Sequence, residues 1–481
     1  MKKLLSFVVA GALLAGTAAM ASATDIKVKG KFDFGFGLYD GTTFQKHDGA
    51  ENFDALQRFR TQVDFIASES LKGVAAFEIG NTYWGAGGGA TWGGNDSGRG
   101  AGGAMGADGV AVEVKHLYID WLVPQTDLQV RMGVQPFALP RAVTRADGED
   151  GGYILDDDMA GILLSYNFNE NFGANLGWFR GWDGAVRSGT SNIPGNSYGQ
   201  NDEVDVFALT LPIEMKDTFS FTPYATYALV GSALGDDFDD TATSIGGNGN
   251  VNSWLSANGA LGDDGDAWWA GFAFDLSYLD PFVAAVDFTY GRYDADEVAG
   301  LATNDPDRAG WVAIAKFGYK LDYFTPILFG WYGSGSDDFY TDGADGIMPY
   351  LSPDWGLTSF GWSNAHFGGR EYLVGATPAG TWAVGLGLED IKFIERLTSH
   401  VRVMFFEGTS DLKDGDQAFT EYGVLGDEDN GIEVNLDNVI NVYENLDMFV
   451  ELGYVHVNLD KEPADFEDNA WKGYVGFTYS F

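Results

Sequence analysis

Hydrophobic and polar residues alternate along this chain in segments of about ten residues. In the first such segment, IKVKGKFDFGFGLY, apolar side chains such as Phe32 and Phe34 fall on one face, while Lys29, Lys31 and Asp33 fall on the other. A β-strand points successive side chains to opposite faces, so this period of two predicts a strand with apolar surroundings on one side and water on the other.

The same alternation recurs throughout the chain. In QRFRTQVDFIA (57–67) and TDLQVRMGVQ (126–135), apolar residues again take turns with charged or amide residues. Near Lys115 and His116 the phase breaks, which predicts a β-bulge. Further segments of this kind lie near 72–84, 111–122, 158–167, 171–182, 203–212, 217–230, 267–278, 281–293, 309–320, 323–334, 379–389, 398–407, 431–442, 446–458 and 470–481.

The connectors between these segments alternate in length. Short ones include Asn169-Glu170-Asn171 and Asp280-Pro281, whereas long ones include 40–56, 85–110 and 137–157. Outer-membrane barrels have short periplasmic turns and long external loops, and in lipid a sheet must close on itself to pair every backbone group. The pattern therefore predicts an all-β fold, a transmembrane antiparallel β-barrel.

Pairing the segments around the short turns gives about 18 strands. The weakest pair is 379–389 and 398–407, and omitting it leaves 16 as an alternative. At either number the interior is wide enough for water. Aromatic girdles belong at both membrane interfaces, and the candidates for them near segment ends are Tyr39, Trp121, Trp178, Tyr323 and Phe481.

The N-terminus and the composition place the chain outside the cytoplasm. Residues 1–23 combine Lys2 and Lys3, an apolar stretch and a small-residue site ending at Ala23, which is typical of a signal peptide for the Sec pathway. Residues 24–481 are then expected to form a single barrel domain. The chain has no cysteine, so disulfides do not stabilise it, and its net charge of −42 excludes nucleic acid as a natural partner.

The signal peptide, the alternating segments and the terminal GYVGFTYSF together resemble Gram-negative outer-membrane porins, and most of all the outer-membrane homotrimeric porins of sulfate-reducing bacteria. The resemblance covers essentially the whole mature chain. It implies a homotrimer in the bacterial outer membrane, in contact with outer-membrane lipids and lipopolysaccharide, through which small hydrophilic solutes and ions diffuse passively. It also implies that the barrel-assembly machinery reads a C-terminal signal formed here by Phe477, Tyr479 and Phe481.

The resemblance further implies a third external loop folded into the lumen as a constriction. By order, this loop is 137–157, although it lacks the short PEF-type motif of enteric porins. Its charged residues are Arg141, Arg145, Asp147, Glu149, Asp150, Asp156 and Asp157. The family places wall arginines opposite such a loop, and the candidate pore-wall residues on the water-facing phase are Arg58, Arg60, Gln62, Asp64, Asp127, Gln129 and Arg131.

An acidic loop facing a basic wall would produce a transverse field that orients dipolar solutes. The excess of acid suggests a mild cation preference, which Arg58, Arg60 and Arg131 could reverse. No cofactor is expected. Oxygen-rich loop clusters suit divalent cations such as Ca²⁺, either for binding or for bridging to lipopolysaccharide phosphates, although we favour the interpretation that they form a solvated, repulsive surface. These clusters lie at 235–240, 262–266, 336–339 and 426–430.

Catalysis has little support in the sequence. The histidines show no metal-ligand spacing, and the Gly-rich segment 85–106 lacks the Lys-Ser/Thr of a phosphate-binding loop. We therefore expect a passive porin and not an enzyme. Two alternatives stay open, namely a substrate-specific channel for a sugar, carboxylate or anion, and a structural or adhesive envelope barrel.

Overall fold

The computed structural model describes most of the chain, and its described residues form one closed β-barrel. These residues are 24–46, 53–86, 112–146, 151–183, 203–216, 218–231, 265–276, 280–295, 307–337, 345–362, 366–367, 373–412 and 424–481. The expected signal peptide lies outside them. The described residues include no helix with the length and hydropathy that crossing a bilayer would require.

The described residues contain 19 strand segments, each paired antiparallel with its neighbours. In chain order they are β1 (Asp25–Asp40), β2 (Phe53–Ser68), β3 (Leu71–Tyr83), β4 (Glu113–Leu122), β5 (Leu128–Ala138), β6 (Asp156–Asn169), β7 (Phe172–Asp183), β8 (Glu203–Thr210), β9 (Ile213–Met215), β10 (Phe219–Val230), β11 (Gly265–Asp275), β12 (Phe282–Ala295), β13 (Arg308–Tyr319), β14 (Thr325–Gly333), β15 (Thr381–Ile394), β16 (Leu397–Gly408), β17 (Asn430–Tyr443), β18 (Leu446–Asn458) and β19 (Asn469–Ser480).

The barrel has 18 strand positions because β8 and β9 share one of them. Both segments pair with β7 and β10, and they are separated only by Leu211 and Pro212. Proline has no N–H to donate to the ladder, so the strand is interrupted there. The predicted count of 18 is confirmed, and the alternative of 16 is wrong since β15 and β16 are full-length strands of 14 and 12 residues.

The barrel closes between its first and last strands. β1 pairs with β19 from Lys31–Ser480 to Asp40–Trp471, and Gly30 and Phe481 exchange backbone hydrogen bonds of 3.0 Å. Closure removes the open edge that an isolated sheet would present. The first residue of β1 and the last residue of β19 both lie at the end of the barrel that carries the short turns.

The connectors sort by length between the two ends, as predicted. The short turns are 69–70, 123–127, 170–171, 216–218, 276–281, 320–324, 395–396 and 444–445. The long connectors at the opposite end are 41–52, 84–112, 139–155, 184–202, 231–264, 296–307, 334–380, 409–429 and 459–468.

The predicted faces of the strands are confirmed. On β1, Leu38 is 52% exposed on the outer surface, while Asp33 is 1% exposed in the interior. Trp121, Trp178, Tyr323 and Phe481 are exposed as the girdle prediction requires. The girdle prediction is wrong for Tyr39, which is 1% exposed, because it shares the inward phase of Asp33.

The predicted bulge lies in β4. Ala76 of β3 pairs with His116 and Phe77 pairs with Val114, so Lys115 has no opposing residue. Lys115 Nζ and His116 Nε2 both reach the carboxylate of Asp158 on β6, at 2.5 Å and 2.7 Å. The extra residue thus changes the direction of two consecutive side chains.

Candidate pore and its lining

The third long connector, which we call loop 3, folds into the barrel. The backbone N–H groups of Ala142 and Val143 donate to the carboxylate of Asp287 on β12, at 2.7 Å and 2.9 Å. Tyr153 hydrogen bonds to Thr289 on the same strand at 2.7 Å. Loop 3 therefore crosses from β5 and β6 to β12, which confirms the predicted inward fold.

A second connector also enters the barrel, and we call its residues 345–362 and 366–367 the strap. Trp269 Nε1 on β11 donates to the Pro349 carbonyl at 2.7 Å, and Arg308 Nε on β13 donates to the Ile347 carbonyl at 2.6 Å. The strap also pairs with loop 3, where Leu351 N donates to the Ile154 carbonyl at 2.9 Å. Loop 3 and the strap thus form one continuous obstruction.

Further along, the strap docks on the wall formed by β17, β18 and β19. Ser359 Oγ donates to Asp437 at 2.6 Å, and Gly361 N donates to Glu433 at 3.0 Å. Lys472 donates to the Ser359 carbonyl. These wall side chains, although ionisable, are at most 4% exposed, so the strap covers a polar part of the lumen.

The wall from β1 to β6 remains more open. On this side Arg60, Arg131 and Lys72 have exposed side-chain fractions of 31%, 26% and 40%. On the opposite side, Trp269 of β11 and Phe406 of β16 are both 0% exposed beneath the inward segments. Among the described residues, the more solvent-accessible part of the lumen therefore lies off-centre, along β1 to β6, and we call it the passage.

Solved structures with the same architecture are known. No protein-family model and no curated protein sequence matches this chain. The outer membrane protein OprD from Pseudomonas aeruginosa superposes with a TM-score of 0.53 at 11% identity, covering 96% of each chain. OpdQ of the same organism superposes with a TM-score of 0.52 at 12% identity, covering 95% of this chain and 98% of its own.

The chain has the OprD barrel fold. The likeness extends over the full barrel, since the OprD superposition covers 96% of this chain. At 11% to 12% identity it establishes the fold alone, so the solute has to be argued from the lining of this particular OprD-type barrel.

The structure describes only part of the predicted constriction. Arg145 pairs with Asp354 of the strap, and Asp157 accepts a hydrogen bond from Ser352 Oγ at 2.9 Å. Asp156 and Asp157 are the first residues of β6 and do not belong to loop 3. The loop boundaries predicted from the sequence, 137–157, were therefore too wide. The pore-lining role of these residues stays a prediction. Three of the predicted residues lie outside the described residues, namely Asp147, Glu149 and Asp150.

Arg141 is enclosed between loop 3 and the wall. Its Nε donates to the Val143 carbonyl, and its two terminal nitrogens are buried without a hydrogen-bond partner among the described residues. Burial lowers the pKa of Arg141, and the nearby Asp287 carboxylate opposes that shift. Arg141 therefore belongs to the packing that holds loop 3 inside the OprD-type barrel.

The predicted wall residues fall on the lumen face with one correction. On the lumen-facing phase of β2 and β5 lie Arg58, Arg60, Gln62, Asp64, Gln129 and Arg131. The pore-wall assignment of Asp127 is wrong, because this residue is exposed in the short turn before β5.

Each predicted wall arginine pairs with a carboxylate of a neighbouring strand. Arg58 lies 3.4 Å from Asp33, Arg60 pairs with Glu78, and Arg131 Nε lies 2.7 Å from Asp120. Because the partners are on the same wall, the positive charge is largely compensated locally. The expected transverse field between a basic wall and an acidic loop is therefore weakened.

The acidic clusters considered for Ca²⁺ are described only in part. In the cluster 426–430, Asp429 accepts hydrogen bonds from Gly426 N and Asp460 N, both at 2.9 Å. Its carboxylate therefore connects the backbone of two neighbouring connectors. The cluster 235–240 lies outside the described residues. Within the ranges that are described, no group of three or more His, Cys, Asp or Glu side chains is arranged to hold a metal, and Ca²⁺ binding stays a prediction.

Sequence reasoning missed the strap. The alternation of connector lengths makes 335–378, between the segments 323–334 and 379–389, one of the long external loops, yet this connector contains IMPYL at 347–351 and WGLTSFGW at 355–362. Such an apolar composition is unusual for a solvated loop, since exposed connectors are mostly polar. This composition is the signal that could have identified the inward fold.

Asp120 holds two cations on the open wall. Arg131 lies at 2.7 Å and Lys72 Nζ at 3.3 Å from its carboxylate. Asp120→Asn should leave both cations uncompensated beside the passage, and we expect the anion-to-cation permeability ratio to rise severalfold because the local field changes sign. The measurement is the reversal potential in a KCl gradient. The matched control, Asp127→Asn in the exposed turn, should leave the ratio unchanged, and equal shifts for both variants would contradict the prediction.

Proposed function

We propose that this protein is a porin of a Gram-negative outer membrane, a passive channel through which small hydrophilic solutes and ions diffuse. The observation that carries this proposal is the open wall from β1 to β6, whose ion-paired side chains stay partly exposed while loop 3 and the strap fill the opposite side of the lumen. A packed core would have no reason to keep Arg60 and Lys72 at 31% and 40% exposure inside a closed barrel.

The lining suggests how solutes pass. A solute that loses part of its hydration shell in the passage meets alternating cationic and anionic groups, such as Arg131, Asp120 and Lys72, which replace water as hydrogen-bond partners. An apolar solute would displace water from these groups without replacing its hydrogen bonds. The barrel thus favours small hydrophilic solutes by diffusion, without an energy source, a cofactor or a catalytic step.

The proposal includes the cellular context that the sequence resemblance implies. Export would use residues 1–23 and the Sec pathway, insertion would use the barrel-assembly machinery, and three copies would form a homotrimer like the porins of sulfate-reducing bacteria. The outer face supports a bilayer location, since Leu386 and Phe393 on β15 are 66% and 67% exposed. Gel migration before and after boiling tests the trimer, which should dissociate on heating.

Planar-bilayer recording on the purified protein tests the channel itself. We expect stepwise increases in current, grouped in threes if the trimer forms, and a conductance that rises in proportion to salt. A protein that inserts as a folded barrel yet passes no current would refute the porin proposal and leave a structural or adhesive envelope role.

A substrate-specific anion channel is the second candidate, and one observation favours it. Lys27, Lys29 and Lys31 share the inward phase of β1 near the short-turn end, and Lys31 lies directly opposite Arg60 in the β1–β2 register. Such a row of cations suits carboxylates and other small anions. A conductance that saturates with one organic anion would support this candidate over the general porin.

The C-terminal residue provides a prediction about assembly. Phe481 packs near Phe32 and Phe59, with ring centroids 6.1 Å and 6.3 Å apart. If Phe481 is also an assembly signal, Phe481→Ser should reduce the amount of folded barrel in cells far more than Phe59→Ser, which disturbs the same aromatic contact. Quantifying the heat-modifiable band in outer-membrane fractions checks this, and equal losses would mean that Phe481 contributes packing alone.

A further inference from the structure

We propose that Tyr118 on β4 is a positioning residue that sets the ion preference of the passage. Its ring holds the Arg131 guanidinium in an orientation in which one edge faces the passage and attracts small anions such as chloride. This inference rests on the proposed porin function and adds to it a residue that determines selectivity. Tyr118 lies on the lumen-facing phase of β4, since Leu117, Ile119 and Trp121 are exposed on the outer surface.

Three charged side chains cross the open wall at one level. Lys72 of β3 lies opposite Asp120 of β4, which in turn lies opposite Arg131 of β5. Arg131 Nε and Nη2 donate to the two carboxylate oxygens of Asp120 at 2.7 Å and 3.2 Å, and Lys72 Nζ lies 3.3 Å from the same carboxylate. Because two cations share one carboxylate, this row keeps an excess of positive charge, which favours anions.

The pair with Asp120 leaves the other edge of the Arg131 guanidinium available. Among the described residues, Arg131 Nη1 has no hydrogen-bond partner, and it is not buried. The side chain is 26% exposed, so Nη1 is in contact with water in the passage. A guanidinium donates its hydrogen bonds in its own plane. The orientation of that plane therefore decides whether Nη1 is presented to passing ions.

Tyr118 fixes the plane of the guanidinium. Arg131 Cζ lies 4.6 Å from the centroid of the Tyr118 ring, which is within the range of a cation–π contact. Asp120 holds one edge of the guanidinium, and the ring covers one face. Without the ring, the long arginine side chain has the rotamer freedom to tilt this plane while keeping its bond to Asp120. The edge contact and the face contact together define one orientation.

Two neighbours hold Tyr118 itself in place. Gly133 lies directly opposite Tyr118 and has a φ of +129°, a conformation that favours glycine. A Cβ at this position would lie 2.7 Å from Tyr118 Cα, so a side chain there would displace Tyr118. On β4, the His116 ring lies 6.4 Å from the Tyr118 ring, and His116 Nε2 lies 2.7 Å from Asp158. The Tyr118 ring is therefore packed among residues that are themselves restrained.

A preorganised donor favours a passing anion more than a mobile donor does. An anion that meets Nη1 already facing the passage does not have to order the Arg131 side chain first, so this cost is absent from its binding free energy. A cation gains nothing from the same arrangement. The contact with Tyr118 therefore raises the anion permeability relative to the cation permeability.

Removing the ring tests the positioning role. We expect Tyr118→Leu to lower the chloride-to-potassium permeability ratio about twofold to fivefold, the factor that corresponds to one exposed cation–π contact. The reversal potential in a KCl gradient across a planar bilayer measures this ratio, and gel migration before and after boiling confirms that the barrel is folded. The matched control Tyr118→Phe keeps the ring and should match the wild type. An unchanged ratio for folded Tyr118→Leu would overturn the proposal.

The Arg131→Gln background separates positioning from space filling. If Tyr118 acts through Arg131, adding Tyr118→Leu to Arg131→Gln should leave the permeability ratio unchanged. An equal fall of the ratio in both backgrounds would mean that Tyr118 acts through the width of the passage, and the positioning role would be wrong while the porin stands. A folded wild-type barrel that passes no current refutes the porin proposal itself, and the role of Tyr118 falls with it.

Discussion

Removing the strap should raise the single-channel conductance severalfold. The deletion joins Ala344 to Leu373, which is feasible because β14 and β15 are neighbouring strands and their ends lie side by side. An 18-stranded barrel encloses more space than its own side chains fill, and in this barrel the strap occupies the part of the lumen bounded by β11 to β19.

The wall under the strap is suited to water. Glu433, Asp437 and Lys472 are 0%, 4% and 2% exposed, and each of them hydrogen bonds to the strap. Ionisable groups are readily hydrated once they are uncovered. After deletion, water and ions should therefore fill this region. Conductance in planar bilayers checks the prediction, with heat-modifiable gel migration to confirm that the barrel is folded. An unchanged conductance in a folded barrel would mean that the limiting constriction lies elsewhere, in loop 3.

Replacing Lys472 should destabilise the barrel more than any other single charge change considered. Its side chain is 0% exposed and lies 2.6 Å from Glu451, which is 1% exposed. Lys472→Met would leave that carboxylate buried with the loss of its main counter-ion, and removing one partner of a buried pair costs about 3–5 kcal/mol. Urea-induced unfolding in lipid vesicles measures the loss in the free energy of unfolding.

An exposed lysine and the strap-deleted barrel provide controls for Lys472→Met. Lys392 pairs with Asp390 at 3.0 Å, but the two side chains are 57% and 53% exposed, so Lys392→Ala should cost about 1 kcal/mol or less. In the strap-deleted barrel, Glu451 becomes hydrated, and the cost of Lys472→Met should fall to a similar value. An equal cost with and without the strap would show that the strap does not cause the burial.

Most of the fold could be predicted from the alternation of apolar and polar residues along the strands. The faces of β1 and β19 follow directly from the period of two, since one side of each strand lies on the apolar outer surface and the other faces the interior of the barrel. The errors arose at the ends of strands. Asp127 was assigned to a strand that begins at Leu128, and Tyr39 was assigned to the girdle by its position near a strand end although its phase turns it inward.

The lining could be predicted only in part, because it depends on contacts between distant segments. The pattern identified Arg58 as water-facing, but its pairing with Asp33 depends on the register between β1 and β2. Likewise, Glu451 meets His366 across 85 residues of chain. Nothing local distinguishes a connector that folds inward from one that stays outside, apart from an unusual share of tryptophan and phenylalanine.

The seam between β1 and β19 has a consequence for biogenesis. Thr478 Oγ1 donates to Asp33 across 445 positions at 2.7 Å, so β1 cannot complete its pairing until β19 has been synthesised and brought back to it. Until then, the backbone N–H and C=O groups along one edge of β1 have no partner strand. Such an open edge is prone to aggregate.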